Sequence, residues 1–301
     1  MFVWWKNNTS ASAKIFAKRC VCQLSSAGKR SRLEETRIVM SWTVVFAGKK
    51  QKLKNPLLVV GLPGIGNVGK IAVDFLKQEL HAKKLAEFSS GDLPHTVFVN
   101  EKNLIELPSI QLWQASTSKR DVLVLVGDAQ PVHEMACYDF CETVIKVLKE
   151  LKCRDVITLG GIALRHVPKK PQVYCIGTNK KTAVEFSKGT SLKTELYGIV
   201  GPIMGVTGVL AGLASKQGLH AVVILAETFG HPMFLGIAGA REILGVLGKK
   251  LQVVLRLDAL TREMKQVEEE LLLQRKEVAD LQQGVPAKLR GKAGKETSYI
   301  G

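Results

Sequence analysis

Three glycines within six residues carry the most suggestive chemistry in this chain. Gly64-Ile65-Gly66-Asn67-Val68-Gly69 matches Gly-x-Gly-x-x-Gly, follows the apolar run Leu57–Val60 and opens a helical pattern. In that setting the glycines let a backbone approach a pyrophosphate at a helix amino end, where free N–H groups favour anions. Glu87 lies 18 residues past Gly69, near the end of a plausible second strand, where a ribose-binding acid would sit. The same glycines serve equally well where a strand turns sharply into a closely packed helix with no ligand, and Pro63 stiffens the loop.

Two further polar clusters follow apolar runs. Asp128 and Gln130 come after Val122–Val126, and Glu227 and His231 come after Ala221–Ala226. Ligands in open α/β sheets bind at the carboxyl edge of the strands. The expected pocket is therefore Gly64, Gly66, Gly69, Asp128, Gln130, Glu227 and His231, with Glu227 a candidate base and His231 a candidate acid–base group. The alternative is that Asp128 and Thr228 cap helices and His231 is a surface residue. His95, His133 and His166 are isolated, and no Ser or Cys has a visible activating partner. The six cysteines contain no Cys-x-x-Cys pair. No catalytic set, resident cofactor or metal site is expected, and scattered reduced thiols fit a cytoplasmic protein.

The elements that must position these residues alternate. Strands are expected at Leu57–Val60, Val122–Val126, Val156–Leu159, Gln172–Ile176 and Ala221–Ala226. Helices are expected at Asn67–Leu80, Tyr138–Leu151 and Met204–Lys216, and from Pro232 to about Lys250. Continuous apolar strands suit a mainly parallel sheet with helices on both faces, a three-layer αβα fold. Leu196 to Ser215 is uncharged over 20 residues but holds Pro202 and five glycines, which favours a buried loop and helix over a membrane span. Gly201, Gly205, Gly208 and Gly212 are spaced to line one helix face and permit close packing.

The ends differ from the middle. The net charge is +16, yet residues 56–283 hold 27 bases and 24 acids. The basic excess sits in the termini, which argues against a nucleic-acid groove on the fold. The domain reading is a basic extension at 1–39, an α/β domain at 40–250, a heptad helix at 251–283 and a flexible basic tail at 284–301. Residues 1–39 resemble a transit peptide in composition, or an upstream extension before a cleaner start at Met40. Leu257, Leu260, Met264, Val267, Leu271, Gln274, Val278 and Leu281 form a 3-4 seam. It either pairs with another subunit as a coiled coil or folds back on its own domain.

Five motifs in order resemble the proteasome assembly chaperone family, in its archaeal branch. They are Gly61-Leu62-Pro63-Gly64-Ile65-Gly66-Asn67-Val68-Gly69; Gly127-Asp128-Ala129-Gln130-Pro131; Thr158-Leu159-Gly160-Gly161; Gly201-Pro202-Ile203-Met204-Gly205-Val206-Thr207-Gly208; and Ala226-Glu227-Thr228-Phe229-Gly230-His231-Pro232. The resemblance spans about residues 40–283. It implies a phosphorylase/hydrolase-like αβα fold, homo-oligomers and binding to proteasome α subunits rather than catalysis. Some family members dock through a C-terminal hydrophobic-Tyr-any tripeptide. This chain ends Ser298-Tyr299-Ile300-Gly301, so Tyr299, Ile300 and Gly301 are the candidate partner-binding residues, with Tyr one place early. The rival reading is a nucleotide- or nucleoside-binding enzyme, ATP-grasp-related or phosphorylase-like, using the glycine-rich pocket; no metal-binding acid pair or clear phosphate lysine supports the ATP-grasp version.

Overall fold

A computed structural model describes residues 42–48, 52–196, 201–258 and 260–262, all within the unit Met40–Gly301. The extension 1–39, the heptad positions from Met264 onward and the tail 284–301 lie outside the described residues.

The chain runs β1 (Thr43–Phe46), β2 (Leu57–Gly61), a 3-10 turn (Ile65–Asn67), α1 (Val68–Glu79) and β3 (Lys83–Ser89). A small hairpin follows, β4 (Phe98–Val99) with β5 (Ile105–Glu106). Then come β6 (Ile110–Ser116), β7 (Asp121–Gly127), α2 (Glu134–Glu150), β8 (Asp155–Leu164), β9 (Val173–Gly177) and α3 (Lys180–Ser187). The described domain finishes with α4 (Gly205–Lys216), β10 (His220–Phe229) and α5 (Ile237–Leu251).

Eight strands form one sheet in the order β1-β3-β6-β7-β2-β8-β10-β9. The central four, β7-β2-β8-β10, are parallel to one another. Antiparallel pairings add β6, β3 and β1 on one side and β9 on the other. The outer edge of β9 is capped by a segment in which Lys193 exchanges backbone hydrogen bonds with Val173 and Cys175.

Each central strand is apolar without interruption because both its faces are covered. Leu58 and Val60 face a core with Phe140, Val144 and Leu148 of α2 and Leu210 of α4. Leu57 and Val59 face the opposite core with Ala72 and Leu76 of α1 and Ile243 and Leu247 of α5. Period-2 alternation thus divides Leu57–Val60 between two hydrophobic layers, and the three-layer αβα architecture expected from the sequence is present.

Three expectations need correction. The last helix does not open at Pro232: Gly236 is its N-cap, and Pro232 lies in the preceding turn. Only part of the glycine stripe of α4 is closely packed: a Cβ on Gly208 would meet the Ile203 carbonyl oxygen at 2.2 Å and one on Gly205 the Gln130 Oε1 at 2.6 Å. Gly201 precedes the helix, Gly212 is exposed with open space where a side chain would be, and Val206, Leu210, Ala211 and Ala214 are buried. Finally, Leu251 ends α5, and residues 252–256 are not helical. Helix resumes at 258 with Leu260 buried against the core beneath α1 and α5 and Leu257 packed partly against it.

Candidate functional site

The carboxyl ends of the parallel strands carry the residues singled out by sequence. At the end of β2 the chain passes through Gly66 (φ 58°, ψ 11°) and Asn67 (φ 50°, ψ 22°), two consecutive left-handed residues. Glycine and asparagine are among the few types that accept this region. A side chain on Gly66 would meet the Thr228 hydroxyl at 2.8 Å, and one on Gly69 would meet the Leu159 carbonyl oxygen at 2.6 Å. These two glycines answer to crowding by β10 and β8. Gly64 does not: its backbone is extended and its nearest neighbour is 3.9 Å from where a Cβ would sit.

Gln130 ties this turn to the start of α4. Its Nε2 donates to the Pro63 carbonyl, and its Oε1 accepts from the Val206 amide at 3.0 Å. Together with Gly64, Ile65, Gly69, Leu159–Ala163 and the run Gly201–Gly205, it lines a cleft of about 630 Å³. That volume is in the range of small-molecule sites.

The other expected site residues are elsewhere. Asp128 accepts from the Ser109 amide and hydroxyl at 3.2 and 3.1 Å and lies 3.7 Å from Lys70 Nζ. Glu227 accepts from the Gln172 amide at 2.9 Å and from the Tyr174 hydroxyl at 3.1 Å. Burial first, and then the Glu227 carboxylate, push the Tyr174 phenol up, so it stays a protonated donor. Glu227 is therefore a clip holding β9 against β10 rather than a free base. His231 is exposed, stacked on Phe229 at 5.7 Å, with its Nδ1 accepting from the Met233 amide at 3.3 Å. One pocket for all seven residues is not what the fold builds: Gly64, Gly69 and Gln130 share the cleft, while Gly66, Asp128, Glu227 and His231 do not line it.

Glu87 is also misplaced for a ribose contact. It sits on β3, separated from β2 by β6 and β7, and pairs with Lys84. Burial pushes the Cys153 thiol up to about 12 and Cys175 up to about 11. Cys141 is pushed up by its hydrogen bond with Cys137 and by burial. Such thiols are protonated and poor nucleophiles at neutral pH. Among the described residues no group of His, Cys, Asp and Glu could hold a metal ion, and no helix is long and apolar enough to cross a membrane.

Sequence reasoning missed an exposed apolar face on the β4–β5 hairpin. In the hairpin, Val99 lies directly opposite Ile105, and the same register sets Val97 opposite Leu107. Opposed residues project from one face, so this face is Val97, Val99, Ile105 and Leu107, at 53, 67, 73 and 75 % exposure. The turn is rigid. Asn100 Oδ1 accepts from the Lys102 and Leu104 amides at 2.9 and 3.0 Å, and its Nδ2 donates to Glu106 at 2.7 Å. The short apolar runs Val97-Phe98-Val99 and Leu104-Ile105 on either side of Asn100-Glu101-Lys102-Asn103 were the signal that could have found it.

Comparison with known proteins agrees with this architecture. Pyrococcus furiosus PbaB, described as an archaeal proteasome activator, superposes with a TM-score of 0.73 at 26% identity over 78% of this chain and 99% of that one. Pyrococcus furiosus PbaA, described as an archaeal homolog of proteasome-assembly chaperone, shares the fold with a TM-score of 0.65 at 23% identity, covering 81% of this chain and 95% of its own. An uncharacterized protein of Methanocaldococcus jannaschii is 27% identical over 220 residues, 73% of this chain and 83% of that protein. The model of the PAC2 family matches residues 58–274. Those residues run from β2 past α5 and take in the glycine turn, the cleft and the hairpin, and this chain belongs to the PAC2 family.

Proposed function

We propose that this chain is a non-enzymatic, proteasome-assembly-chaperone-like module of the cytoplasm that self-associates and binds proteasome α subunits. The observation that carries the reading is the β4–β5 hairpin, a ribbon with one wholly apolar face exposed on the monomer. Contiguous exposed apolar surface of this kind marks a protein contact. The similarity to PbaB and PbaA supports the choice of proteasome subunits as partner. The candidate base Glu227 is committed to structural hydrogen bonds.

On this reading the C-terminal Tyr299, Ile300 and Gly301 present a carboxylate and an aromatic to a pocket on the α subunits. Purified α subunits are expected to be retained by the full-length chain, and less by a chain lacking 284–301, at both low and moderate salt. Retention at low salt alone would reduce the contact to screened attraction by a basic tail. No retention in either condition overturns the proposal.

The cleft of about 630 Å³ at the ends of β2 and β8 favours a second reading, a nucleotide or nucleoside site. A ligand at 100 times its dissociation constant stabilises a fold by about 2.7 kcal/mol. Thermal melting with ATP, NAD and nucleosides separates the readings: the chaperone-like reading expects unchanged curves, and a rise with any of them makes the cleft a ligand site.

A further inference from the structure

We propose that the amino end of α5 is a binding site for a carboxylate group, separate from the glycine-loop cleft. The first turn of a helix has four backbone donors with no intrahelical partner. In α5 the Gly236 amide donates to the Gly66 carbonyl at 2.7 Å. The amides of Ile237, Ala238 and Gly239 have no acceptor among the described residues. No side chain caps this end, and its first turn has no acid. Ile237 and Gly239 are nevertheless buried and Ala238 is half-buried. A buried helix terminus without partners is rare, because unmet donors cost free energy.

A second donor is orphaned at the same place. Thr228 is 1 % exposed, and its Oγ1 has no hydrogen-bond partner. That oxygen lies 2.7 Å from where a Cβ on Gly236, the N-cap of α5, would be. Thr228 and Gly236–Gly239 line one recess of about 60 Å³, with Lys169 also in its wall. Three amides and a hydroxyl without partners therefore border one recess, and Glu227 is also in its wall, its main-chain carbonyl oxygen 3.0 Å from where a Cβ on Gly239 would be. The neighbouring acid does not fill it. The Glu227 carboxylate is held by Tyr174, whose ring belongs to the core on the other sheet face from Ile237.

The size and walls of the recess select the ligand. At roughly 10–15 Å³ per water-sized centre, it takes a head group of a few atoms, not a nucleoside. An anion is favoured by the helix dipole as well as by the donors. The remaining walls are apolar: Val167, Pro168, Pro171, Phe234 and Leu235, with Val167 and Leu235 partly exposed at 39 and 42 %. A charge-bearing head with an apolar stem behind it meets both demands. Its source is either a free branched-chain acid or the C-terminal carboxylate of a peptide ending in an apolar residue.

Calorimetric titration of the full chain with isobutyrate, inorganic phosphate, a tripeptide ending in valine and the same peptide amidated tests this. The expected result is saturable binding of isobutyrate and the free peptide, and none of the amide. Tighter binding of the peptide than of isobutyrate assigns the peptide as source; equal binding assigns the free acid. Thr228→Val removes only a hydroxyl that has no partner, so folding is retained, and binding is expected to weaken about tenfold, the loss of one hydrogen bond to a charged group. Ala238→Asp supplies a carboxylate in the first turn of α5, and is expected to abolish binding and raise the melting temperature. Titrations that show no saturable heat, as water alone in the recess would give, overturn the proposal. So does binding that both variants leave unchanged. Preference for phosphate over both carboxylates overturns the ligand class.

Discussion

Gly61→Ala is expected to destabilise the chain by at least about 3 kcal/mol, read as a fall in the denaturant midpoint at unchanged slope. A Cβ at Gly61 would lie 2.1 Å from the Gly69 carbonyl oxygen and 2.5 Å from its carbon, with Val73 Cγ1 at 2.9 Å. Both closest atoms are backbone, so no rotamer change relieves the contact. The first turn of α1 would have to lift from β2, and Gly69 is itself pressed onto the Leu159 carbonyl of β8. Val68, Ala72, Val73 and Leu76, all buried, would lose packing together. Gly64→Ala is the control: with its extended backbone and nothing nearer than 3.9 Å, it should change stability by less than about 0.5 kcal/mol. A small effect at Gly61, or a large one at Gly64, would show that the turn is not shaped by backbone crowding.

That pair of variants also separates the two meanings of Gly-x-Gly-x-x-Gly. A pyrophosphate site needs the loop glycines for backbone approach to a ligand, whereas here Gly61 and Gly69 are required by strand–helix contact. The motif was legible because both uses place glycine at the same spacing after a strand. Choosing between them needs the distance from Gly69 to Leu159, two residues 90 positions apart, which no local pattern contains.

The same division runs through the rest of the fold. Leu57–Val60 and Val122–Val126 were legible because strands buried on both faces are apolar throughout, and α1 because its apolar face repeats with the helical period. β6 and the hairpin were missed although Ile110 and Leu112 alternate with polar Gln111 and short apolar runs flank Asn100; short strand segments are weaker signals than long helical ones. The start of α5 was placed at Pro232 from a sound local rule. It begins at Gly236 instead, where the Gly66 carbonyl holds the Gly236 amide, a contact across 170 residues. Glu227 and Thr228 illustrate a further limit. Adjacent in sequence, they direct their side chains to opposite sheet faces, Glu227 to the Tyr174 clip and Thr228 toward the amino end of α5, as period-2 alternation along β10 requires.

Val99→Glu together with Ile105→Lys is expected to convert the chain from an oligomer to a monomer, a loss of at least about 100-fold in association constant. A two-stranded ribbon alone in water is marginal, and this one exposes four apolar side chains on one face at 53 to 75 %. A partner that comes and goes would leave that face wet for part of the protein's life. A second copy of the chain is always present, so self-association is the occupant that keeps it covered. Covering a large aliphatic side chain completely is worth roughly 1.5–3 kcal/mol. Losing two of them, and desolvating charges in their place, exceeds the roughly 2.7 kcal/mol that a 100-fold change requires. The substitutions are chosen to spare the hairpin. Residues 99 and 105 are directly opposed, so glutamate and lysine there form a cross-strand pair worth about 0.2–1 kcal/mol, and the Asn100 turn is untouched. Native mass measurement should show the oligomer for the natural sequence and the monomer for the variant, with matching far-ultraviolet dichroism. A variant that keeps the natural mass removes the hairpin from the interface. A natural sequence that is monomeric at micromolar concentration removes self-association from the proposed function, while retention of α subunits, measured separately, would still stand or fall with the tail.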